Sequence, residues 1–416
     1  MSKPFLLFRG PVETISGYGS HSRDLLWALR EMDTFNIKID SCAWGMTPLT
    51  ALEKGNEFHD WVKENTIDKL IAKPDVYVQV TVPNEFRPVG RYNIGITAGI
   101  ETTVASKEWV DGCNRMDLVI VTSNFSKEVL IQSIYNETDN VTGALVNQYK
   151  ITTPIEVLFE GVDTDVYNNQ PSEFDLDIKE DFAFLFVGHW LRGDLGQDRK
   201  DVGMLIKTFN ETFKGHENPP ALILKTSAST FSVMQREFIK NRILTVIGET
   251  ENPPPIYLLF GELTNNEMNE LYNHPKVKTM ITLTKGEGFG RPLLEFSMTG
   301  KPIIASNWSG HKDFLPMDKA IMVGGTLTEV HSSSSDDYII KGSKWFTANY
   351  NEVSQLMELV QKDYDIFLSN AEQLRIENME KFSLSAMKEK LESLIEVPSA
   401  KPKEVKIKLP ELTKLK

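Results

Sequence analysis

KGEGFGRPLLEFSMTGKPIIASNWSG, from Lys285 to Gly310, decides how this chain is read. The apolar run VKTMITLT before it has the length of a buried strand, and RPLLEFSMTG after the glycines reads as a helix. The glycines therefore sit in a strand-to-helix turn, where the backbone N–H groups of Gly288, Phe289, Gly290 and Arg291 would point at an anion, aided by the positive end of the helix dipole. Glu287 in the loop and Glu295 in the helix conflict with a bare phosphate, since carboxylates repel it. Each must face something else. Sugar hydroxyls suit them, because an ionised carboxylate accepts two charge-assisted hydrogen bonds. A phosphate flanked by sugars on both sides is a nucleotide sugar.

Outward from this stretch, short apolar runs alternate with helical patterns. PFLLFRG, NIKIDSCAW, DVYVQVTVP, YNIGITAGIE, DLVIVTS and TPIEVLFEGV read as strands, with helices such as HSRDLLWALREM and SKEVLIQSIYN between them. The pattern lapses in the polar, acidic YNNQPSEFDLDIKED and restarts with FAFLFVG, PALILKTS, PIYLLFG, VKTMITLT and KPIIASN. Late helices are expected over about 350–372 and 383–396. Strands regularly separated by helices imply a parallel sheet covered on both faces. The expectation is an α/β chain of two doubly wound domains facing each other across a cleft: residues 1–166, a linker over 167–180, residues 181–398, and a Lys-rich tail over 399–416.

Composition agrees with a globular chain: 416 residues, 41% hydrophobic and 25% charged. A net charge of -13 gives no general affinity for polyanions or anionic lipid. The apolar piece in MSKPFLLFRGPVE is too short for a signal peptide, and no run approaches the roughly 18 apolar residues of a membrane span, so a cytoplasmic protein without stable membrane insertion is expected. Cys42 and Cys113, far apart and without a CxxC, fit a reducing compartment and exclude a cysteine zinc site. HSSSSDD, at 331–337, reads as a surface loop.

E-GFGRPLL-E, followed by a small-residue turn, KP, an apolar strand and a Gly-containing loop, resembles the E-x7-E motif of retaining glycosyltransferases of family 4. IEVLFEGVDTDVY is similar to that family's domain-closing strand, and the resemblance extends over most of the chain. It implies the GT-B fold of two facing Rossmann-like domains and transfer of a sugar from a nucleotide-sugar donor, with retention and without a metal or other cofactor. By the same resemblance Glu295 would bind the ribose, and Glu287 with the Gly288 to Arg291 backbone would hold the transferred sugar and phosphates. In FLFVGHWLRGDLGQDRKDVGM, Gly188 ends the strand, Lys200 matches the family's diphosphate-binding Lys, and Arg199 or Arg192 its Arg, although GDLGQD departs from the usual spacing. Lys225 at the next strand end is a further basic candidate, and His189 could reach the donor. Each of these has an exposed cation or a structural His as its plain alternative.

SGYGSHSRDL places Gly17 and Gly19 where the family has a glycine loop near the phosphates, with an ordinary tight turn as the alternative. Glu101, in GIETT, is expected as a polar residue of the catalytic or acceptor pocket, or else a surface acid or cap. No side-chain base is obligatory in such retaining enzymes. A glycosidase pair is disfavoured, because its carboxylates must flank one scissile bond. Other readings remain. Asp163 and Asp165 (DTD) could hold a metal. GEGFG followed by Asp313 approximates a dinucleotide fingerprint but lacks its last glycine and follows a late strand. A non-catalytic nucleotide-sugar-binding or scaffolding subunit is the alternative of another class. The acceptor is open between a glycan, a lipid-linked precursor and, through the Lys-rich tail, modified DNA.

Overall fold

The computed structural model describes residues 3–395, except 71, 140, 229 and 230. The Lys-rich tail lies outside the described residues. The first half contains β1 (Phe5–Gly10), β2 (Asn36–Ser41), β3 (Val76–Val80), β4 (Tyr92–Thr97), β5 (Leu118–Val121), a hairpin of β6 (Tyr135–Thr138) and β7 (Leu145–Tyr149), and β8 (Ile155–Val157). The second contains β9 (Ala183–His189), β10 (Ala221–Ser227), β11 (Ile256–Leu259), β12 (Val277–Thr282), β13 (Ile303–Ser306), β14 (Ile321–Val323) and a hairpin of β15 (Gly325–Glu329) and β16 (Lys344–Ala348). The two main sheets run β2-β1-β3-β4-β5-β8 and β11-β10-β9-β12-β13-β14, every pair parallel. The expected doubly wound α/β architecture is present. Parallel strands are covered on both faces, which is why their sequences are continuous apolar runs such as Leu6-Leu7-Phe8 and Phe184-Leu185-Phe186, all buried.

Helices α1 (Gly17–Glu31), α2 (Glu57–Asn65), α3 (Lys107–Cys113) and α4 (Asn124–Gln132) belong to the first half, and α5 (Val202–Phe213), α6 (Val233–Ile247), α7 (Asn265–Asn273), α8 (Arg291–Ser297), α9 (Tyr350–Lys362), α10 (Asp365–Lys381) and α11 (Leu384–Leu394) to the second. Side-chain oxygens start most of them: Ser16 accepts from Gly19 N, Ser123 from Ser126 N, and Thr264 forms a capping box with Glu267. The helix expected over 350–372 is two helices. The backbone leaves the helical conformation at Asp363 (φ -120°, ψ 41°), and the next residue, Tyr364, sets its ring edge-on to Phe182 and donates its hydroxyl to Lys278 O at 3.1 Å. No described helix is long and apolar enough to cross a membrane.

The last helix returns to the first sheet. Met387, Leu391 and Ile395 join a core with Leu25, Leu26 and Leu29, so α11 packs on α1 although its sequence follows the second domain. The chain thus passes between the halves twice, and the two passages hydrogen-bond to each other: Val162 N to Phe382 O at 2.8 Å, and Leu384 N to Val162 O at 2.9 Å. The segment expected as a linker lies against the second domain, with Tyr167 and Ile178 buried there.

In each sheet the strand order reverses once, between β1 and β3 and between β9 and β12. The carboxyl ends of the strands at such a reversal splay apart their loops and leave the crevice where ligands bind in doubly wound folds.

Candidate functional site

Gly188 and His189 end β9, and the loop carrying Glu287 follows β12, so both flank the reversal of the second sheet. Arg199 and Lys200 come to the same place from the segment before α5. The Lys200 ammonium pairs with Glu287 Oε1, and the Arg199 guanidinium lies 3.4 Å from Glu287 Oε2 and donates to Gly286 O at 3.0 Å. Across the cleft, Glu101 Oε1 is 3.6 Å from Arg199. Burial alone would raise the Glu287 carboxyl, but Lys200 and Arg199 outweigh it and hold it at about 2. Burial lowers Lys200 despite Glu287, and it raises Glu101 against the pull of Arg199. Four of the sequence candidates therefore form one group. Among the described residues the amides of Gly288, Phe289, Gly290 and Arg291 donate no hydrogen bond, so this group borders a run of unpartnered backbone donors.

The segment bearing Arg199 and Lys200 is held from behind by a pair that sequence reasoning missed. Lys285 and Asp201 lie 3.3 Å apart with 1% and 0% of their side chains exposed. The Tyr350 hydroxyl donates to Asp201 at 2.7 Å, Lys285 Nζ to Thr347 Oγ1 at 3.1 Å, and Lys285 N to Arg199 O at 2.7 Å. Asp201 takes φ 54° at the start of α5, a left-handed conformation uncommon outside glycine. In the sequence, Lys285 looks like any cation at a strand end. Only its long-range partners mark it.

Glu295 faces a different cation. Arg291 Nε donates to Glu295 Oε1 at 2.8 Å, the same guanidinium pairs with Asp24 on α1, and Glu160 is 3.8 Å away. The Tyr272 hydroxyl reaches Glu295 at 3.4 Å. One guanidinium thus serves three carboxylates from both halves. Glu160 Oε2 has no hydrogen-bond partner, and burial, opposed by Arg291 and reinforced by Asp24 and Glu295, pushes Glu160 up to about 8. A carboxyl raised above its ordinary 4.5 binds its proton more tightly in the folded chain, so stability falls as pH rises from near 4.5 towards about 8. Glu160→Gln, which stays neutral, is expected to melt higher than the native chain at about pH 9 and to converge with it near pH 5. Parallel melting curves across that range would show that Glu160 is ionised throughout.

The glycines turn out to serve closure of the two halves. A Cβ on Gly286 would lie 2.0 Å from Glu101 O, and one on Gly288 would lie 1.8 Å from Ala98 O. Ser123 Oγ donates to Gly288 O at 2.6 Å across the same contact. Backbone thus rests on backbone between the domains, which the sequence reading had attributed to phosphate approach alone. Gly290, at φ 101°, does need its glycine for the turn. Gly19 packs against Thr14, where a Cβ would meet Thr14 O at 2.2 Å, whereas Gly17 faces open space.

His189 lies among Lys200, Arg199 and Lys225, and desolvation with their charge pushes it down to about 4, while its Nδ1 meets Ser227 Oγ at 3.1 Å. Lys225 reaches Gly261 O at 2.5 Å. Arg192 stands apart from the Glu287 group and pairs with Asp336, leaving Arg199 as the arginine beside Lys200. Asp163 Oδ1 accepts from Asp165 N at 3.0 Å, and among the described residues no cluster of three His, Cys, Asp or Glu side chains is arranged to hold a metal.

At the reversal of the first sheet opens a cavity of about 920 Å³, lined by Arg9, Tyr18, Gln79 and Thr81 near β1 and β3. Glu101 and Arg199 also line it, so it adjoins the Glu287 group.

No family sequence model matches the chain, and no curated protein matches it by sequence. Solved structures do match its shape. They include a glycosyltransferase from Rickettsia africae ESF-5 (13% identity, covering 95% of this chain and 98% of that one, TM-score 0.60), Anabaena HepE in complex with UDP-glucose (13%, 94% and 99%, 0.61), and a sucrose-phosphate synthase from Thermosynechococcus elongatus (13%, 94% and 98%, 0.60). Likeness at that identity is likeness of fold, and over nearly its whole length this chain has the GT-B architecture of two facing Rossmann-like domains.

Proposed function

We propose that the chain transfers a sugar from a nucleotide-sugar donor to a hydroxyl acceptor in the cytoplasm, with retention of anomeric configuration and without a metal. The observation that carries this reading is the Arg199, Lys200 and Glu287 group at the strand reversal, bordered, among the described residues, by unpartnered backbone amides. HepE, which shares the fold, binds UDP-glucose.

As the bond from the sugar to phosphate breaks, the nucleoside diphosphate gains negative charge. Lys200, Arg199 and the 288–291 amides stabilise that charge more in the transition state than before it, because they are already in place in a site shielded from water. These cations take the part that a metal plays elsewhere. Glu287 keeps the cations apart and accepts hydroxyls of the transferred sugar, and Glu295, braced by Arg291, accepts those of the ribose. The acceptor oxygen bonds to the anomeric carbon while its proton passes to the departing phosphate oxygen on the same face.

The test is a panel of nucleotide sugars scored for thermal protection and for slow release of free sugar. At about one hundred times its Kd a true donor should add about 2.7 kcal/mol of stability. Sugar release should vanish in Glu295→Ala. A panel in which no member protects at millimolar concentration would defeat the reading. Turnover lost with EDTA and restored by manganese would instead show that the reaction needs a metal.

A further inference from the structure

Two stretches that the family motif leaves unexplained are each other's partners. Arg192, at the edge of the GDLGQD insertion, pairs with Asp336 of the Ser/Asp-rich segment, Ser333 Oγ accepts from Asp194 N at 3.2 Å, and Ser334 Oγ donates to Gln197 O. The root of the Ser/Asp-rich segment is fixed to the opposite domain, with Thr103 N donating to Lys344 O and Lys344 N to Thr103 Oγ1, each at 2.9 Å. Asp336 accepts from Tyr338 N at 2.7 Å and Ile339 N at 2.5 Å, which turns the tip inward. Tyr338 then meets Trp109 of the first domain, ring centroids 6.4 Å apart. Asp336, Tyr338 and Ile339 all line the 920 Å³ cavity. The stretch 331–337 is a surface loop as expected, and its Asp336, with Tyr338 and Ile339 after it, also walls the cavity.

We propose that residues 331–343 are a specificity lid, and that the cavity they complete takes a saccharide as the acceptor. This rests on the glycosyl-transfer reading above. The cavity offers aromatic faces for the apolar side of a sugar ring, with Tyr18 and Trp44 stacked at 4.0 Å and Tyr77, Trp109 and Tyr338 beside them. It also offers carboxylates for hydroxyls, since Glu85 and Glu101 line it. Asp40, Glu101 and Asp336 are each paired with an arginine, so the lining is close to neutral, as suits an uncharged polyol.

Trp44 and Trp109 give the cavity an intrinsic probe. The full chain is titrated with methyl glycosides and disaccharides while tryptophan fluorescence is followed, and donor-site integrity is read separately as thermal protection by nucleotide sugars. At least one saccharide should quench saturably. Tyr338→Ala should weaken that binding roughly tenfold or more and Tyr338→Phe by less than about threefold, with donor protection equal in all three. If Tyr338→Ala loses donor protection as well, Arg192→Gln, which unties Asp336, decides by the same readout. The proposal is overturned if no saccharide quenches at tens of millimolar, if untying the lid leaves affinity unchanged, or if a single-stranded oligonucleotide bearing hydroxymethylated bases binds in place of the saccharides. Absent donor protection in the native chain would count against the donor site and leave the fluorescence result standing.

Discussion

Lys200→Ala is expected to lower the transfer rate by about 10²–10³-fold, the usual cost of deleting one preorganised charge donor from a transition state. The complication is that Lys200 also neutralises Glu287, which is 10% exposed and would be left with Arg199 at 3.4 Å. Its carboxyl, held at about 2 by the two cations, would titrate higher, and some folding stability would go with it. A double variant separates the two roles. Lys200→Ala with Glu287→Gln removes the stranded charge, so melting temperature should recover. A double variant as fast as Glu287→Gln alone would mean that Lys200 only supports Glu287. A stable double variant that is slower than Glu287→Gln alone by about the same 10²–10³-fold places Lys200 on the reacting phosphate.

The largest stability effect is expected at Lys285. Lys285→Met strands Asp201 in a site that is 0% exposed, and breaking a buried pair from one side costs about 3–5 kcal/mol. Burial already raises Asp201 to about 6 against the opposing pull of Lys285, and loss of that cation raises it further. A protonated Asp201 is less costly to bury. The penalty should therefore be smaller at acid pH and grow as pH rises, which denaturant titrations at two pH values would reveal. Lys285→Met with Asp201→Asn should regain much of the loss, since Asn tolerates φ 54° and still accepts from the Tyr350 hydroxyl. A single variant as stable as the native chain at every pH would show that the pair does not hold the Arg199 segment.

Strands and helices were legible because each announces itself locally: buried parallel strands as continuous apolar runs, helix starts as Ser or Thr with a periodic stretch behind them. The loop from Lys285 to Arg291 was legible for the same reason. What the sequence hid is contact between distant segments. Gly286 and Gly288 look alike whether they admit a phosphate or the backbone of residues 98–101, and only the fold shows the second. Lys285 carries no mark of burial until Asp201 and Tyr350 arrive. HSSSSDD has the composition of solvent-facing chain and is partly exposed, yet Arg192 holds its Asp336 beside the cavity. The 350–372 helix splits at Asp363, beside a Tyr364 whose ring packs edge-on to distant Phe182, and no glycine or proline marks the place.

The return of α11 to the first core has a consequence for biosynthesis. Met387, Leu391 and Ile395 are among the last described residues to leave the ribosome, and they complete a core begun by Leu6 and Phe8. The N-terminal half therefore waits, with the surface against α1 bare, until the whole second half has been made. Domains that finish folding as they emerge avoid this interval, whereas this one depends on its neighbour having folded first. Nascent chains stalled before α11 should bind holdase chaperones, and a synthetic α11 peptide supplied in trans should displace them.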